Sequence, residues 1–439
     1  MTTYDIIIIG SGPGGYTTAA EAARLGLRSM IVERDELGGT CLNRGCIPTK
    51  ALCRTAEAAL LCRRGAQLGI ETSNVTIDYA RAAARKDDVV ASLREGVAMA
   101  LNGVDIVRGN ARFAGDHVVA VGDEEYDAPR IIIATGSRPA TLPVEGAEDA
   151  ADSDTILSLT TLPADLIIIG GGVIGMEFAS IYSALGVKVT VLEYCREILP
   201  GFDTEIAKRL RMALKRRGVT IVTSAQVTAI RDGGTVVEYE EKGRAKSLSA
   251  EKVMMAVGRR PVVPEGLEAA GVVTERGRIV TDESMSTSVE GIYAIGDVNG
   301  RCMLAHAATV QGRVALGLQK LPACIPAAVF TMPECGSVGL TAEQCAAQGI
   351  DALEGKAIYR ANGKALAMDE PDGLAKIVVE RATGRLLGAH ICGAHAADLV
   401  QELTVAISQS MTARQLLDTV HIHPTLAELI PAALSNIAP

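Results

Sequence analysis

Two stretches of this 439-residue chain repeat one pattern, and the repeat limits the possible folds more than any other feature. Each copy has an apolar run, a G-x-G-x-x-G motif, a helix-like stretch of small residues and a second apolar run that ends in glutamate. The residues that define the copies are Gly10, Gly12, Gly15 and Glu33, then Gly170, Gly172, Gly175 and Glu193. The first glycine and the glutamate are 23 positions apart in both copies.

One such glycine motif is weak, because it also occurs in ordinary turns. A motif that follows a strand, opens a helix and has an acidic residue about 20 positions later is typical of dinucleotide binding. Its glycines let the backbone approach a pyrophosphate at the helix N-terminus, where free N–H groups favour anions. The glutamates would accept hydrogen bonds from ribose hydroxyls and repel a 2′-phosphate. The alternative is that each glutamate is a solvated residue at a strand end.

Further repeated segments predict the domain layout. The segments 130–139 (RIIIATGSRP) and 252–261 (KVMMAVGRRP) indicate the closing strand of each unit, and 291–300 (GIYAIGDVNG) indicates a return to the first unit. We therefore predict an α/β protein with two Rossmann-like dinucleotide-binding domains, the second inserted in the first, followed by a C-terminal α+β domain. The predicted boundaries are 1–143 for the first domain, 144–266 for the second, 267–322 for the return and 323–439 for the last.

The last domain has its own local signals. KIVVER and GRLLGAHICG predict two strands around a turn at Thr383-Gly384, a helix is expected over 395–410, and Thr412 and Gln415 form a candidate capping box.

Composition excludes several classes of protein. The net charge is −9 and basic residues form no long runs, which argues against a nucleic-acid or anionic-membrane partner. The N-terminus has no export signal, and the apolar segment 166–182 contains three consecutive glycines and Glu177, which argues against a membrane span. Ten cysteines without regular spacing favour a reducing cytoplasm over a secreted disulfide framework.

Cys41 and Cys46 stand out from the other cysteines, because they lie in the glycine-rich segment GGTCLNRGCIPTK, 38–50. Five residues of regular helix rise about 7.5 Å, beyond the roughly 4.4–6.8 Å that a disulfide spans between Cα atoms. The pair can therefore bridge only where the helix is distorted or has not yet begun, which Gly38-Gly39, Gly45 and Pro48 permit. The alternatives are two unrelated buried cysteines or a metal site, but no histidine is near and the spacing does not fit zinc; we predict no metal.

Near the C-terminus, His423 and Glu428 flank a proline in HIHPTLAE, 421–428. A carboxylate paired with a histidine fixes the tautomer of the imidazole and stabilises its protonated form, as a general base requires. The alternative is structural, since Thr425 and Glu428 have the spacing of a capping box.

The sequence G-G-T-C-x4-C-x-P-x-K after an N-terminal G-x-G-x-x-G, together with ATGSRP, YAIGDV and H-P-T-x-x-E, resembles the class I pyridine nucleotide–disulfide oxidoreductases over nearly the whole chain. The resemblance implies a flavoenzyme with FAD in the first unit, the nicotinamide nucleotide in the second, and a C-terminal dimerisation domain. It implies a redox-active disulfide between Cys41 and Cys46, and a Lys50–Glu177 pair beside the flavin. His423, oriented by Glu428, would face the cysteine pair of the other subunit, so a homodimer is implied.

The same resemblance assigns candidate cofactor-binding residues. For FAD they are Gly10, Gly12, Gly14, Gly15, Glu33, Gly39, Thr40, Lys50, Ala111, Thr135, Gly136, Ser137, Asp297, Met303, Leu304, Ala305 and His306, with Asp297 on the ribityl chain. For NAD they are Gly170, Gly172, Val173, Ile174, Gly175, Glu193, Val227 and Gly258.

Within the family, the chain is most similar to the members that oxidise lipoyl-linked dithiols. Glu193 favours NAD over NADP, although Arg196 follows three residues later, and His421-x-His423 resembles the version of the motif in those members. The implied partner is a lipoyl domain or lipoyl carrier protein of a 2-oxoacid dehydrogenase or glycine-cleavage system. Arg44 departs from the valine that is usual there. The alternatives are an NAD(P)H-dependent reductase of a low-molecular-weight disulfide, similar to glutathione reductase, and a non-catalytic flavin redox sensor.

Overall fold

The first glycine motif follows the central strand of a five-stranded parallel sheet. A computed structural model describes residues 2–437. The strand Ile6–Ile9 is buried along its whole length, as expected for a parallel sheet covered on both faces. In spatial order the strands of this sheet are Ile292–Ala294, Ile131–Ile133, Ile6–Ile9, Ser29–Glu33 and Asp105–Arg108. The returning strand Ile292–Ala294 pairs in parallel with Ile131–Ile133, so the chain rejoins the first domain as predicted.

Helices cover this sheet, and a smaller sheet adjoins it. The helices of the first domain are Pro13–Arg24, Gly39–Arg44, Cys46–Arg63, Tyr79–Ala100 and Ala305–Ala315, with 3₁₀ turns Gly65–Leu68 and Gly296–Asn299. The second sheet contains Thr2–Thr3, Glu124–Asp127, Val118–Val121 and Ala111–Gly115, and a two-stranded ribbon joins Thr274–Glu275 to Arg278–Ile279.

The second domain repeats this arrangement around the second glycine motif. Its four parallel strands, in spatial order, are Thr220–Thr223, Lys188–Glu193, Asp165–Ile169 and Lys252–Met255. Its helices are Ser153–Leu157, Val173–Ala184 and Thr204–Arg216, after the 3₁₀ turn Ala147–Asp149. An antiparallel sheet of Ala225–Arg231, Val236–Glu241 and Arg244–Ser249 completes it.

The C-terminal domain is an antiparallel sheet packed against helices. Its strands, in spatial order, are Ala327–Val329, Glu334–Gly339, Leu386–Gly393, Leu374–Glu380 and Ala352–Ile358. Its helices are Ala342–Ala347, Gly363–Ala367, Ala396–Ser408, Ala413–Leu417 and Leu429–Ser435, with 3₁₀ turns Tyr359–Ala361 and Leu426–Glu428. The predicted hairpin, helix and Thr412–Gln415 capping box are all present. The predicted fold class is therefore confirmed, whereas the domain boundaries stay predictions.

The chain crosses between the first two domains twice, and the two crossing segments pair with each other. Ser137–Pro139 leaves the first domain and Arg259–Pro261 returns from the second, and they form a short antiparallel ribbon. Val262 N and Ala140 N extend it by donating to the carbonyl oxygens of Gly136 and Gly258. The repeated Gly, Arg and Pro residues of the sequence are thus the connection between domains. None of the helices formed by residues 2–437 combines the length and apolar character that crossing a membrane requires.

A buried ion pair joins the second domain to the C-terminal sheet. Lys376 Nζ lies 2.7 Å from Asp203 Oδ2 and 2.5 Å from Glu354 Oε1. Burial alone would raise the pKa of Asp203, but the hydrogen bond and charge of Lys376 outweigh it and hold that pKa below its ordinary value. Asp203 also caps the helix Thr204–Arg216 by accepting from Glu205 N and Ile206 N.

We expect Asp203→Asn to destabilise the protein by about 3 kcal/mol, the lower end for breaking a buried pair, because Glu354 still faces Lys376. Because the folded-state pKa of Asp203 is lowered, its contribution is present above the unfolded-state pKa and is lost as the pH falls through the folded value. The variant should therefore melt at a lower temperature than wild type at neutral pH, and this difference in melting temperature should become smaller in acid. The control is Asp418→Asn, which removes the exposed partner of Arg414; equal melting temperatures for the two variants would contradict this account.

Candidate active site

A cavity of about 1050 Å³ lies at the carboxyl ends of the first parallel sheet and extends toward the second and C-terminal domains. Every residue predicted to bind FAD lines it, as do Cys41, Cys46, Lys50 and Glu177. The lining also includes Pro326–Ala328 and Asp398, which belong to the C-terminal domain and which the sequence did not indicate. Ligand sites of open α/β sheets lie at this edge, so the structure places the predicted residues around one space.

The glycine motifs bring each helix close to its strand. A Cβ atom on Gly15 would lie 1.9 Å from the carbonyl oxygen of Gly10, and one on Gly175 would lie 2.0 Å from that of Gly170. Gly12, in contrast, faces open space, and it begins the helix Pro13–Arg24 without a side-chain cap. The free N–H groups of this helix end therefore suit a phosphate, and the cavity fits a dinucleotide.

The two glutamates of the repeat are buried and bonded to the backbone. Glu33 Oε2 accepts from Ser11 N at 2.9 Å and Ser11 Oγ at 2.6 Å. Glu193 accepts from Gly171 N at 2.5 Å and Cys195 N at 2.6 Å. Neither is a solvated strand-end residue, since both are less than a tenth exposed. Each carboxylate ties the glycine turn to the end of the next strand, and its contact with a ribose stays a prediction.

Cys41 and Cys46 form a disulfide in the cavity wall, with their Cα atoms 4.7 Å apart. The helix Gly39–Arg44 ends at Gly45, and the helix Cys46–Arg63 begins directly after it. A Cβ on Gly45 would lie 2.9 Å from the carbonyl oxygen of Thr40, so a side chain there would force the two helices apart. The distortion that a disulfide at this spacing requires is therefore a break between two helices. Cys46 is at the N-terminus of the second helix, where a thiolate is favoured.

Lys50 and Glu177 meet at the same wall from different domains. Lys50 Nζ lies 2.9 Å from Glu177 Oε2 and 3.0 Å from Oε1. Phe330 of the C-terminal domain donates its N–H to Glu177 at 2.9 Å, and its ring lies 4.4 Å from Lys50 Nζ. A carboxylate in an apolar helix needs such partners, and this one is buried. All three domains therefore contribute to the wall beside the disulfide.

The residues predicted to bind NAD lie partly in this cavity. Val173 and Ile174 line it, next to Glu177 on the helix of the second glycine motif. Gly170, Gly172, Gly175, Glu193, Val227 and Gly258 lie outside its lining. A smaller cavity of about 460 Å³ lies beside Glu193 and Val227 and is lined by Tyr194, Cys195, Arg196, Ser224, Gln226, Glu240 and Lys242. The helix of the second motif thus reaches the first cavity through Val173 and Ile174, and the segment that follows Glu193 lines the smaller cavity.

His423 and Glu428 form the predicted pair but lie outside the cavity lining. His423 Nδ1 lies 2.8 Å from Glu428 Oε1, and the His423 side chain is 81% exposed. Glu428 Oε2 also accepts from Thr425 N, so the capping box and the histidine pair coexist. The backbone N–H of Thr425 first, and then His423, hold the pKa of Glu428 below its ordinary value. The carboxylate therefore stays charged at neutral pH and can orient the imidazole.

Exposed apolar residues lie next to this pair in sequence. Val420 and Ile422 are 93% and 76% exposed, and Val405, on the helix whose Glu402 contacts His421, is 62% exposed. Such an apolar surface is typical of a protein interface. His421, in contrast, is largely buried and contacts Glu402 at 2.8 Å.

Besides Pro326–Ala328 and Asp398, sequence reasoning missed Phe330 and Arg259. Phe330 bonds Glu177, and Arg259 lines the cavity, although it belongs to the second domain. The repeated Gly-x-Arg-Pro segments contain Arg259 only at their variable position and gave no contact for it. Phe330 carried no signal. Among residues 2–437, no group of three or more His, Cys, Asp or Glu side chains is arranged to hold a metal ion.

Comparison with known proteins agrees with this geometry. Residues 4–312 match the pyridine nucleotide-disulphide oxidoreductase family, and residues 325–434 match the dimerisation domain of that family. A dihydrolipoyl dehydrogenase of Geobacillus stearothermophilus is 42% identical, with 97% of this chain and 94% of the relative covered. A dihydrolipoyl dehydrogenase of Bacillus subtilis (strain 168) is 40% identical, with 98% of this chain and 97% of the relative covered. The HOCl-induced flavoprotein disulfide reductase RclA from Escherichia coli has a TM-score of 0.88 at 30% identity, covering 98% of this chain and 99% of that one.

Proposed function

Because the chain belongs to the pyridine nucleotide–disulphide oxidoreductase family, we propose that it oxidises protein-bound dihydrolipoamide to lipoamide with NAD⁺ as acceptor. The observation that carries the proposal is the Cys41–Cys46 disulfide in the wall of the dinucleotide cavity. The near-full-length similarity to several dihydrolipoyl dehydrogenases supports the choice of substrate. FAD and NAD are the cofactors of the family: bound FAD would accept two electrons from the reduced cysteines, and bound NAD⁺ would accept them from the flavin as hydride.

The chain's own residues account for the thiol chemistry. His423 of the partner subunit removes a proton from one substrate thiol, and the resulting thiolate attacks Cys41 Sγ. The Cys41–Cys46 bond breaks, and Cys46 leaves as a thiolate favoured by its helix N-terminus. The second substrate thiol attacks the substrate sulfur of the mixed disulfide and closes the lipoamide ring, and its proton passes to Cys41, which leaves as a thiol. The substrate loses two electrons and the disulfide gains them, so the step balances.

The dimerisation-domain match supports a homodimer, and within the proposal its interface completes the active site. The surface of Val420, Ile422 and Val405 next to His423 suits burial against a second chain. A lipoyl domain or lipoyl carrier protein is the proposed electron donor. The cytoplasm is the proposed location, since the eight cysteines outside Cys41–Cys46 are free in the described chain.

The assay that tests the proposal compares two disulfide couples on the purified holoenzyme. We expect rapid NADH formation from dihydrolipoamide and NAD⁺, and little NADH- or NADPH-dependent reduction of glutathione disulfide. Glutathione disulfide reduction without dihydrolipoamide oxidation would favour the alternative reductase. Absence of both activities in a flavin-bearing protein would favour the redox sensor.

A further inference from the structure

Arg259 reaches from the second domain into the wall of the cavity in the first. It lies on the returning strand of the crossing ribbon, directly opposite Pro139, and Ser137 pairs with Pro261 in the same ribbon. Its side chain is only 16% exposed. Arg260, next along the strand, is exposed instead. The ribbon therefore directs one arginine inward at the point where the two domains are joined.

The contacts of Arg259 form a short network. Its Nε donates to Ser137 Oγ at 2.7 Å, and its Nη2 donates to the Ser137 carbonyl oxygen at 2.8 Å. Ser137 Oγ in turn donates to Asp297 Oδ2 at 2.5 Å. Arg259 Nε and the same Asp297 oxygen are 4.0 Å apart. All three residues line the cavity.

The direction of these bonds follows from the donor inventory. A serine hydroxyl has one proton to donate, whereas an arginine donates only. Because Ser137 Oγ accepts from Arg259, its own proton is left for Asp297. Arg259 thus fixes the orientation of the Ser137 hydroxyl and, through it, that of Asp297.

We propose that Arg259 is a positioning residue that acts through Ser137 to hold Asp297 in its flavin-binding orientation. Since Arg259 belongs to the second domain, its bonds to Ser137 connect that domain to the flavin site at the crossing ribbon. The inference rests on the proposed function, because it takes FAD as the group that Asp297 binds.

The test measures the rate at which FAD leaves the holoenzyme, followed by the fluorescence of released flavin. We expect Arg259→Met to release FAD about 10–100-fold faster, the effect of losing hydrogen bonds from a charged group. Ser137→Ala, a smaller change, should also accelerate release. Arg259→Lys should release FAD at a rate between those of Arg259→Met and wild type, because lysine restores the charge but not both hydrogen bonds. Arg260→Met is the matched control and should release FAD as wild type does.

A double variant separates positioning from general loss of structure. If Arg259 acts through Ser137, then Arg259→Met combined with Ser137→Ala should release FAD about as fast as the faster single variant. Multiplied effects, no rescue by lysine, or release from Arg259→Met at the wild-type rate would overturn the inference. None of these outcomes changes the result expected for dihydrolipoamide oxidation by the wild-type protein. A wild-type protein that holds FAD but does not oxidise dihydrolipoamide would count against the proposed function instead.

Discussion

Replacing Cys46 by serine will abolish dihydrolipoamide-dependent reduction of NAD⁺, because no disulfide remains to receive electrons from the substrate. The structure places this thiol in the cavity wall, at the start of the helix that also carries Lys50. Steady-state NADH formation by the purified variant measures the effect. Cys62→Ser is the matched control, since Cys62 is an exposed free cysteine late in the same helix, and it should keep the wild-type rate.

The same variant provides an internal check on folding. Electron transfer from NADH to ferricyanide needs the nicotinamide and flavin sites but no disulfide, so the Cys46→Ser variant should retain it. Loss of both activities would mean that the substitution damages the fold. Retention of both would show that dihydrolipoamide delivers its electrons by another route, which would contradict the assignment of the pair.

Replacing His423 by glutamine will lower the rate of dihydrolipoamide oxidation by about 10²–10⁴-fold, the usual contribution of a general base. Glutamine keeps a polar side chain of similar reach but cannot take a proton. The ferricyanide activity should remain, because His423 lies outside the cavity lining. His117→Gln is the control, because His117 pairs with the neighbouring Asp116 and is distant in sequence from His423. This variant should keep the wild-type rate of dihydrolipoamide oxidation.

Mixed dimers show which subunit supplies the base. Coexpression of Cys46→Ser with His423→Gln gives a heterodimer with one double-defective site and one intact site if His423 serves the partner's cysteines. Such a heterodimer should regain about half of the wild-type activity. If His423 instead served its own chain, each site would carry one defect and no activity would return, which would contradict the shared site.

Most of the fold prediction rested on the repeated glycine-motif unit. Matched spacing from Gly10 to Glu33 and from Gly170 to Glu193 is sufficient to place strands, glycine turns and helices, because each depends on local sequence. The return at 291–300 was also predictable, since its apolar run matched the closing strands. The geometry that a disulfide demands predicted irregular backbone around Cys41 and Cys46, and the structure provides it as a helix break at Gly45.

What the sequence did not reveal depends on contacts between distant segments. Nothing local indicates that Arg259 bonds Ser137, that Phe330 caps Glu177, or that Lys376 binds Asp203. These contacts exist because separate domains meet, and their partners are more than 100 residues apart. The spacing of His423 and Glu428 allowed both a pair and a capping box, and the structure contains both. The position of His423 outside the cavity lining of its own chain agrees with the family resemblance, which implied that it faces the other subunit.

The most direct test of the central claim identifies the cysteines that change oxidation state during the reaction. Anaerobic wild-type holoenzyme is incubated with dihydrolipoamide without NAD⁺, alkylated, and mapped by mass spectrometry, with a parallel sample receiving NAD⁺ before alkylation. We expect alkylation of Cys41 and Cys46 in the first sample and recovery of their disulfide in the second. If Cys41 and Cys46 remained joined in the first sample while dihydrolipoamide was oxidised, the disulfide would not be the electron acceptor.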